Sequence, residues 1–552
     1  MQLDRTRIIF IAIIAATLVI VCGVIVFNTM SSLFEPDEPD VVVETGNGGS
    51  QMPVTGQDGS RPTPSVSLDA PEPIWGPDYD ATDGRPAYVC GADAFGSYFV
   101  LQQMQMSGKD IEHGFHLGIV PFFLNDDPVY DISEEQRTAL LRSGQWDCLL
   151  TTLDSVALQS PGVITAIIDE TAGADQLWGR DVETINDLRG KRIAFARGSV
   201  GEYFVYYTLS IAQLSPRSQV TLVPQDSVAD AVAAFNDGLA DVVAGWEPDI
   251  YDAEESGGVP LLSSAQLRIV VDVVVTSRQS IDNRADAVQQ FHNAWFDTLK
   301  VQFEDLPRAA NYIASWGNND WSFVYPESAA DDMTEWLESI AQAGLGDNAF
   351  VMRDLRPILN RLEIARRVWA ASDLSVPSDN VEDLVDPNFV LRAADQPQLQ
   401  TNRRPVNDTF SMSATAQLDV GGIDQSAAAT LAVLPCRTFN FLPESTELTL
   451  ESRRVLDNCV VPTLSQSVGL LLRVQGSSAW PANDPPYTEA DILEVAEGRA
   501  ESVVAYLVSQ GIDPARFIVE AVLPPEDHRN TDDPFIQSQD RFVELTLVTA
   551  GR

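Results

Sequence analysis

The chain has 552 residues, enough for more than one domain, and its 80 acidic against 35 basic residues give a net charge of −45. A surface so negative repels nucleic acid and anionic membrane faces, which excludes both as partners of the folded part. Such acidity suits solubility outside the cell and does not identify a ligand, because a cleft can be locally positive inside an acidic shell.

The predicted elements begin with an apolar run, Ile8 to Phe27, of about twenty residues, long enough to cross ~30 Å of hydrocarbon as a helix. Arg5 and Arg7 precede it, and no Lys or Arg follows until Arg61. Residues 1–30 therefore read as a cytoplasmic start and a single-pass transmembrane anchor in the cell membrane, with the bulk of the chain extracytoplasmic. No small-residue cleavage site follows the run, which favours an uncleaved anchor. Leu18 to Cys22 is only faintly similar to a lipoprotein box, since Val21 replaces the small residue. Residues 31–83 are rich in Pro, Gly and acidic residues, as in Glu35-Pro36-Asp37-Glu38-Pro39-Asp40. They cannot bury a core and read as a disordered tether.

Residues 84–374 alternate strands with helices. Tyr88-Val89-Cys90-Gly91 predicts a strand ending in a Gly turn, a helix follows from about Gly96 to Met106, and His116 to Phe123 predicts a second strand. Ser143-Gly144-Gln145-Trp146-Asp147 leads into a third strand that ends at Thr151-Thr152. Asp187-Leu188-Arg189-Gly190-Lys191 turns into the strand Ile193 to Ala196, which stops at Gly198-Ser199 before a helix carrying Tyr203, Phe204, Tyr207 and Leu209. Asp226 to Gly238 predicts a helix, Leu239 to Pro248 a strand and loop, and Arg268 to Thr276 a β-branched return strand. This alternation implies parallel sheets covered on both faces, with a ligand at the carboxyl ends of the strands. A Gly-Ser at a strand-to-helix junction leaves backbone N–H groups and a hydroxyl aimed at one spot, which suits an anion.

The wording of Asp187 to Ser199, of Ser143 to Asp147 and of Leu239 to Pro248 resembles the sulfonate, nitrate and taurine family of periplasmic solute-binding proteins, over about Pro86 to Ala371. The resemblance implies an α/β two-lobed periplasmic-binding-protein fold, type II-like, with an ABC permease as partner and neither cofactor nor metal. It would line the cleft with Asp93, Phe95, Thr151, Thr152, Asp154, Gly198, Ser199, Val200, Trp246 and Glu247. Ser199 and the neighbouring N–H groups favour an anion or carboxylate, and Trp246 offers an apolar wall or a cation–π face. Asp154 and Glu247 oppose a bare oxyanion. The expected ligand is thus a small anionic or zwitterionic molecule, with an amino group to answer these carboxylates.

Thiamine-pyrimidine synthases share the two-lobed fold but carry a clustered cysteine motif and a reactive histidine. Here the cysteines are isolated, the histidines number four, and nothing has metal-ligand spacing, so a binding protein is expected and not an enzyme. Cys22 lies in the apolar run. Cys90 and Cys148 would end neighbouring strands, and Cys436 and Cys459 flank the first strand and helix of the last domain. An oxidising compartment allows two disulfides among these four, four buried thiols being the alternative.

Residues 375–430 read as a second linker, with Phe389 to Ala394 able to pack on the lobe. From 431 to 552 the pattern changes: Phe439 to Ser445 leads into a helix through Leu448, Val455 and Leu456. A strand from Val468 to Val474, a helix from Glu489 to Ser509 and a final strand from Phe542 to Val548 follow. Gly498 to Phe517 and Arg541 to Leu545 resemble the OmpA-like peptidoglycan-binding domain, a smaller α+β fold. That resemblance sets Arg499 and Arg541 against the carboxylate of the peptide stem. Gly476-Ser477-Ser478-Ala479 lacks the carboxylate that would answer the stem's ammonium, which implies weak peptidoglycan binding unless Asp484 or Glu489 replaces it. The whole chain is expected to be a membrane-anchored capture protein for ABC-type import, held near the wall. The alternative is a wall tether or ligand sensor.

Overall fold

The computed structural model describes residues 70–93, 95–122, 132–316, 342–401, 428–436, 441–467, 469–483 and 485–549, with 333, 334, 337, 338, 340, 438 and 439 besides. The expected anchor, the tether up to residue 69, and Asp484 lie outside the described residues. Among the described residues no helix is long and apolar enough to cross a membrane.

The first lobe is built on a six-stranded sheet of order β1-β3-β2-β4-β11-β5. Its strands are Ile74–Trp75 (β1), Ala87–Ala92 (β2), His116–Pro121 (β3), Cys148–Thr152 (β4), Val163–Glu170 (β5) and Val271–Thr276 (β11). β5 and β11 are buried along their whole length, including the acids Asp169, Glu170 and Asp272 that interrupt their apolar runs. Cys90 of β2 lies opposite Cys148 of β4 in parallel register, and a disulfide joins them across a Cα separation of 4.5 Å.

The second lobe carries a five-stranded sheet of order β10-β6-β9-β7-β8. Its strands are Asp175–Gly179 (β6), Arg192–Ala196 (β7), Thr221–Gln225 (β8), Val242–Trp246 (β9) and Val259–Ser263 (β10). The chain crosses between the lobes twice, from β5 to β6 and from β10 to β11. Both sheets are mixed, which corrects the expectation of parallel sheets: β11 runs antiparallel to β4 and β5, and β6 antiparallel to β9 and β10. The cause lies at the crossings. A strand that leaves one lobe and a strand that returns to it cannot both point the same way.

The tether and second linker are shorter than the sequence suggests. Residues 70–83 already belong to the first lobe, since β1 pairs with β3 and the Asp83 carboxylate meets His116 at 3.0 Å. Residues 375–401 pack on the same lobe through buried Val381, Leu384, Phe389, Val390 and Leu399. Their polar spacing hides these apolar anchors.

The third sheet has the order β12-β18-β14-β16, with β13 also on β18. Its strands are Ala429–Val433 (β12), Thr438–Phe439 (β13), Leu471–Ser477 (β14), Phe517–Val522 (β16) and Phe542–Thr549 (β18). The helix Glu489–Ser509 covers it, started by a reciprocal Thr488–Asp491 capping box. At Gly476 of β14 an added Cβ would stand 1.9 Å from the Ala496 carbonyl oxygen, so only glycine lets strand and helix approach this closely. The Cys436–Cys459 disulfide ties the start of this domain to its first helix. The domain rests on the second lobe, where the Asn186 amide exchanges two hydrogen bonds with the Val433 backbone at 3.1 and 2.9 Å.

Candidate ligand-binding site

Three strands of the first lobe bring polar groups together beside the crossings. Asp272 of β11 lies opposite both Thr152 of β4 and Asp169 of β5, so two acids face each other across one sheet. Directly opposed like charges repel. The arrangement stands because the pair is hydrogen-bonded and shares a proton: Asp169 donates to Asp272, which also accepts from the hydroxyls of Tyr98 and, at 3.1 Å, Thr171. Burial pushes both carboxyls up, and the three donors hold Asp272 below its partner; Asp169 stays far above the usual carboxylate range.

Asp154 sits in the first turn of the helix Leu153–Gln159, which Thr152 caps. The turn is fixed from behind, where the Trp369 indole donates to the Asp154 carbonyl at 3.1 Å. The carboxyl is 1% exposed, and neither of its oxygens has a hydrogen-bond partner. Burial pushes it up to about 7.

The second lobe answers with Asp175, the first residue of β6, paired in register with Trp246 of β9. Burial, then the charges of Asp272 and Asp154, drive Asp175 well above its ordinary range. Carboxyls of the two lobes therefore act on one another across the crossing. Beside them Glu247 accepts from the Tyr251 hydroxyl and, at 3.2 Å, from the Gln176 amide.

The Gly198-Ser199 turn is organised differently from its sequence reading. Gly198 takes a φ of +72°, which glycine tolerates, and its N–H donates to Glu202 Oε2 at 2.7 Å. Ser199 donates to the Ala196 carbonyl at 2.7 Å and accepts from the Gly201 N–H at 3.2 Å. The helix Val200–Ile211 thus supplies its own anion, and these groups are not offered to an anionic ligand.

Of the residues the sequence singles out, Thr151, Thr152 and Asp154 stand beside Asp272. Phe95 meets the Tyr98 ring edge-on at 5.5 Å, and the charge of Asp93 acts on the Tyr98 hydroxyl. Trp246 and Glu247 gather around Asp175, and Val200 starts the helix beyond Ser199. Sequence reasoning missed Tyr98, Asp169, Asp175 and Asp272. A signal existed: a lone acid inside an apolar β-branched run, as in Val270-Val271-Asp272-Val273, is costly unless it has a role.

A family model described as "NMT1/THI5 like" matches residues 162–305. The match spans both crossings and the whole second-lobe sheet. No curated protein matches the chain. Among solved structures, the alkanesulfonate-binding protein SsuA from Xanthomonas axonopodis pv. citri, bound to MOPS, is 18% identical, covering 54% of this chain and 98% of that one at a TM-score of 0.41. A putative periplasmic sulfonate-binding protein from Methylobacillus flagellatus KT is 18% identical over 58% and 97%, at 0.44. The nitrate-binding protein NrtA from Synechocystis PCC 6803 is 12% identical over 59% and 92%, at 0.43.

Among the described residues no group of three or more His, Cys, Asp or Glu is placed to hold a metal ion. A shallow surface depression lined by Gly76, Tyr79, Gln105, Asp110 and His116 lies at the β1–β3 edge of the first lobe, away from the crossings. Its polar groups serve the fold: the Gln105 amide donates to the Ile74 and Leu117 carbonyls, and Asp110 accepts from the Leu117 N–H. In the third domain Arg499 is fully buried and donates to the carbonyls of Ser445, Ser477 and Leu442 at 3.0, 2.9 and 3.3 Å. Burial lowers it to about 10, with the Arg541 charge adding to the effect. Its sequence reading as a ligand cation gives way to a structural one, because the guanidinium is already spent on backbone oxygens. Arg541 remains half-buried.

Proposed function

We propose that this chain is an extracytoplasmic solute-binding protein that captures a small molecule between its two lobes for ABC-type import. One observation carries the reading. Asp154 of the first lobe is buried with its carboxyl oxygens unpartnered, and the buried Asp175 opens the first strand of the second lobe beside the crossing, so a ligand there bridges both lobes. The family model over 162–305 and the two mixed sheets joined by two crossings support it. In this reading residues 1–30 anchor the chain in the membrane with the rest outside, and residues 31–69 form the tether. The third domain plays an OmpA-like part, a weak contact with peptidoglycan that falls to Arg541 and its surroundings.

The deciding experiment pairs a thermal-shift screen on the purified chain with uptake assays in cells lacking the gene. A compound that stabilises the chain and whose uptake fails in those cells supports import. A compound that binds while uptake is unchanged favours the second reading, a ligand sensor or wall tether. The Asn186–Val433 link favours that second reading, because it couples the third domain to the second lobe.

A further inference from the structure

We propose that the ligand of this site carries a protonated nitrogen, donating to Asp154 from the first lobe and to Asp175 from the second. The inference deepens the solute-binding reading and rests on it.

Asp154 is the starting point. A buried carboxyl whose oxygens meet no well-placed donor is costly both as a charge and as a neutral group, and within the first lobe only the capping Thr152 hydroxyl and the residue's own N–H act on it. Asp169, also about as buried, spends its proton on Asp272, and the Tyr98 and Thr171 hydroxyls are turned to Asp272 as well. The charged groups facing Asp154 are acids, Glu134 from the helix Glu134–Arg142 and Asp272 from β11, while Tyr203 faces it from the helix Val200–Ile211 and Asp175 from β6. Arg268 and Arg361 border the cluster on the side of Glu170, and Arg361 is committed to that carboxylate at 2.7 Å. The charges acting on Asp154 and Asp175 are those of acids, while the guanidiniums lie toward Glu170 and Asp169.

Three further facts define the cation's class. The acids are not placed to hold a metal ion, which leaves an organic nitrogen. Trp246 stands opposite Asp175 in register, and the Tyr203 ring lies on the other flank, 5.8 Å from that of Trp369, giving the aromatic surface that an alkylammonium or guanidinium favours. The N–H of Gly198 is held by Glu202, so the turn before the helix Val200–Ile211 does not offer it to a sulfonate or nitrate.

The test uses the full chain and simple probes: n-butylammonium, guanidinium, butanesulfonate and nitrate, by thermal shift and calorimetry at pH 5.5 and pH 8. The expected result is stabilisation by the two cations, and none by the two anions, at both pH values. Asp154→Asn and Asp175→Asn keep the fold, as neutral isosteres of protonated acids, and lose the cation response at least tenfold. Stabilisation by the anions alone overturns this inference and leaves the solute site standing. Cation binding that ignores both substitutions overturns it too, by placing the cation elsewhere. A chain indifferent to every probe overturns this inference and the solute-binding reading together.

Discussion

The N–H of Gly198, in the turn before the helix Val200–Ile211, donates to the carboxylate of Glu202 in that helix's first turn, at 2.7 Å. A helix start that carries unpaired N–H groups attracts anions, and here the chain has placed one of its own side chains in that position. Burial raises Glu202 while this hydrogen bond opposes the rise. Glu202→Ala should therefore do two things. It should cost about 1–2 kcal/mol by freeing a buried N–H, and it should create weak affinity for sulfate that the parent chain lacks. Denaturation and sulfate titration of the variant check both, and a variant with no sulfate affinity would show that the turn is closed by shape as well as by Glu202.

Asp154 ties stability to pH. Its carboxyl is pushed up to about 7 in the folded chain and ionises near 4 in the unfolded one. The folded state therefore holds a proton that the unfolded state has lost, and stability falls as pH rises from about 4 through 7. Asp154→Asn removes this dependence. Its advantage over the parent should grow by about 2–3 kcal/mol between pH 5 and pH 8, read by urea unfolding of ligand-free protein at both values. Equal curves at both values would mean that Asp154 is ionised throughout.

The Cys436–Cys459 bridge spans a sequence separation of 23 residues. On the chain-entropy account a loop of that length stabilises by ~3 kcal/mol. Cys459→Ser should lower the unfolding midpoint of the third domain while the first lobe, held by Cys90–Cys148, keeps its own. Mass mapping of the protein purified without reductant should find both pairs oxidised, and free thiols at Cys436 and Cys459 would remove this contribution.

The two arginines of the third domain should part company. Arg499→Ala removes a fully buried guanidinium that donates to three carbonyls and should cost about 3–5 kcal/mol, unfolding the domain or nearly so. Arg541→Ala should leave the melting curve in place and reduce retention on purified sacculi. Retention that survives the Arg541 change would assign wall contact to another surface.

Much of the architecture is local and therefore legible in the sequence. The strand Ile193 to Ala196 and the helix Glu489 to Ser509 follow from periodicity and caps, because neighbours along the chain decide both. So does the polar turn at Gly198-Ser199. Its chemistry does not, since whether an N–H is free depends on the rotamer of Glu202, which composition cannot reveal. The Asp169–Asp272 pair is still less legible: about a hundred residues separate the two, and only the antiparallel register of β5 and β11 puts them opposite each other. Arg499 shows the same limit from the other side. The sequence places an arginine at a matching position, and the fold buries it under three carbonyls contributed by segments up to 57 residues away. Residue type and periodicity determine which elements form. Which polar group is satisfied, and which is left waiting for a ligand, is decided by contacts between elements distant in the chain.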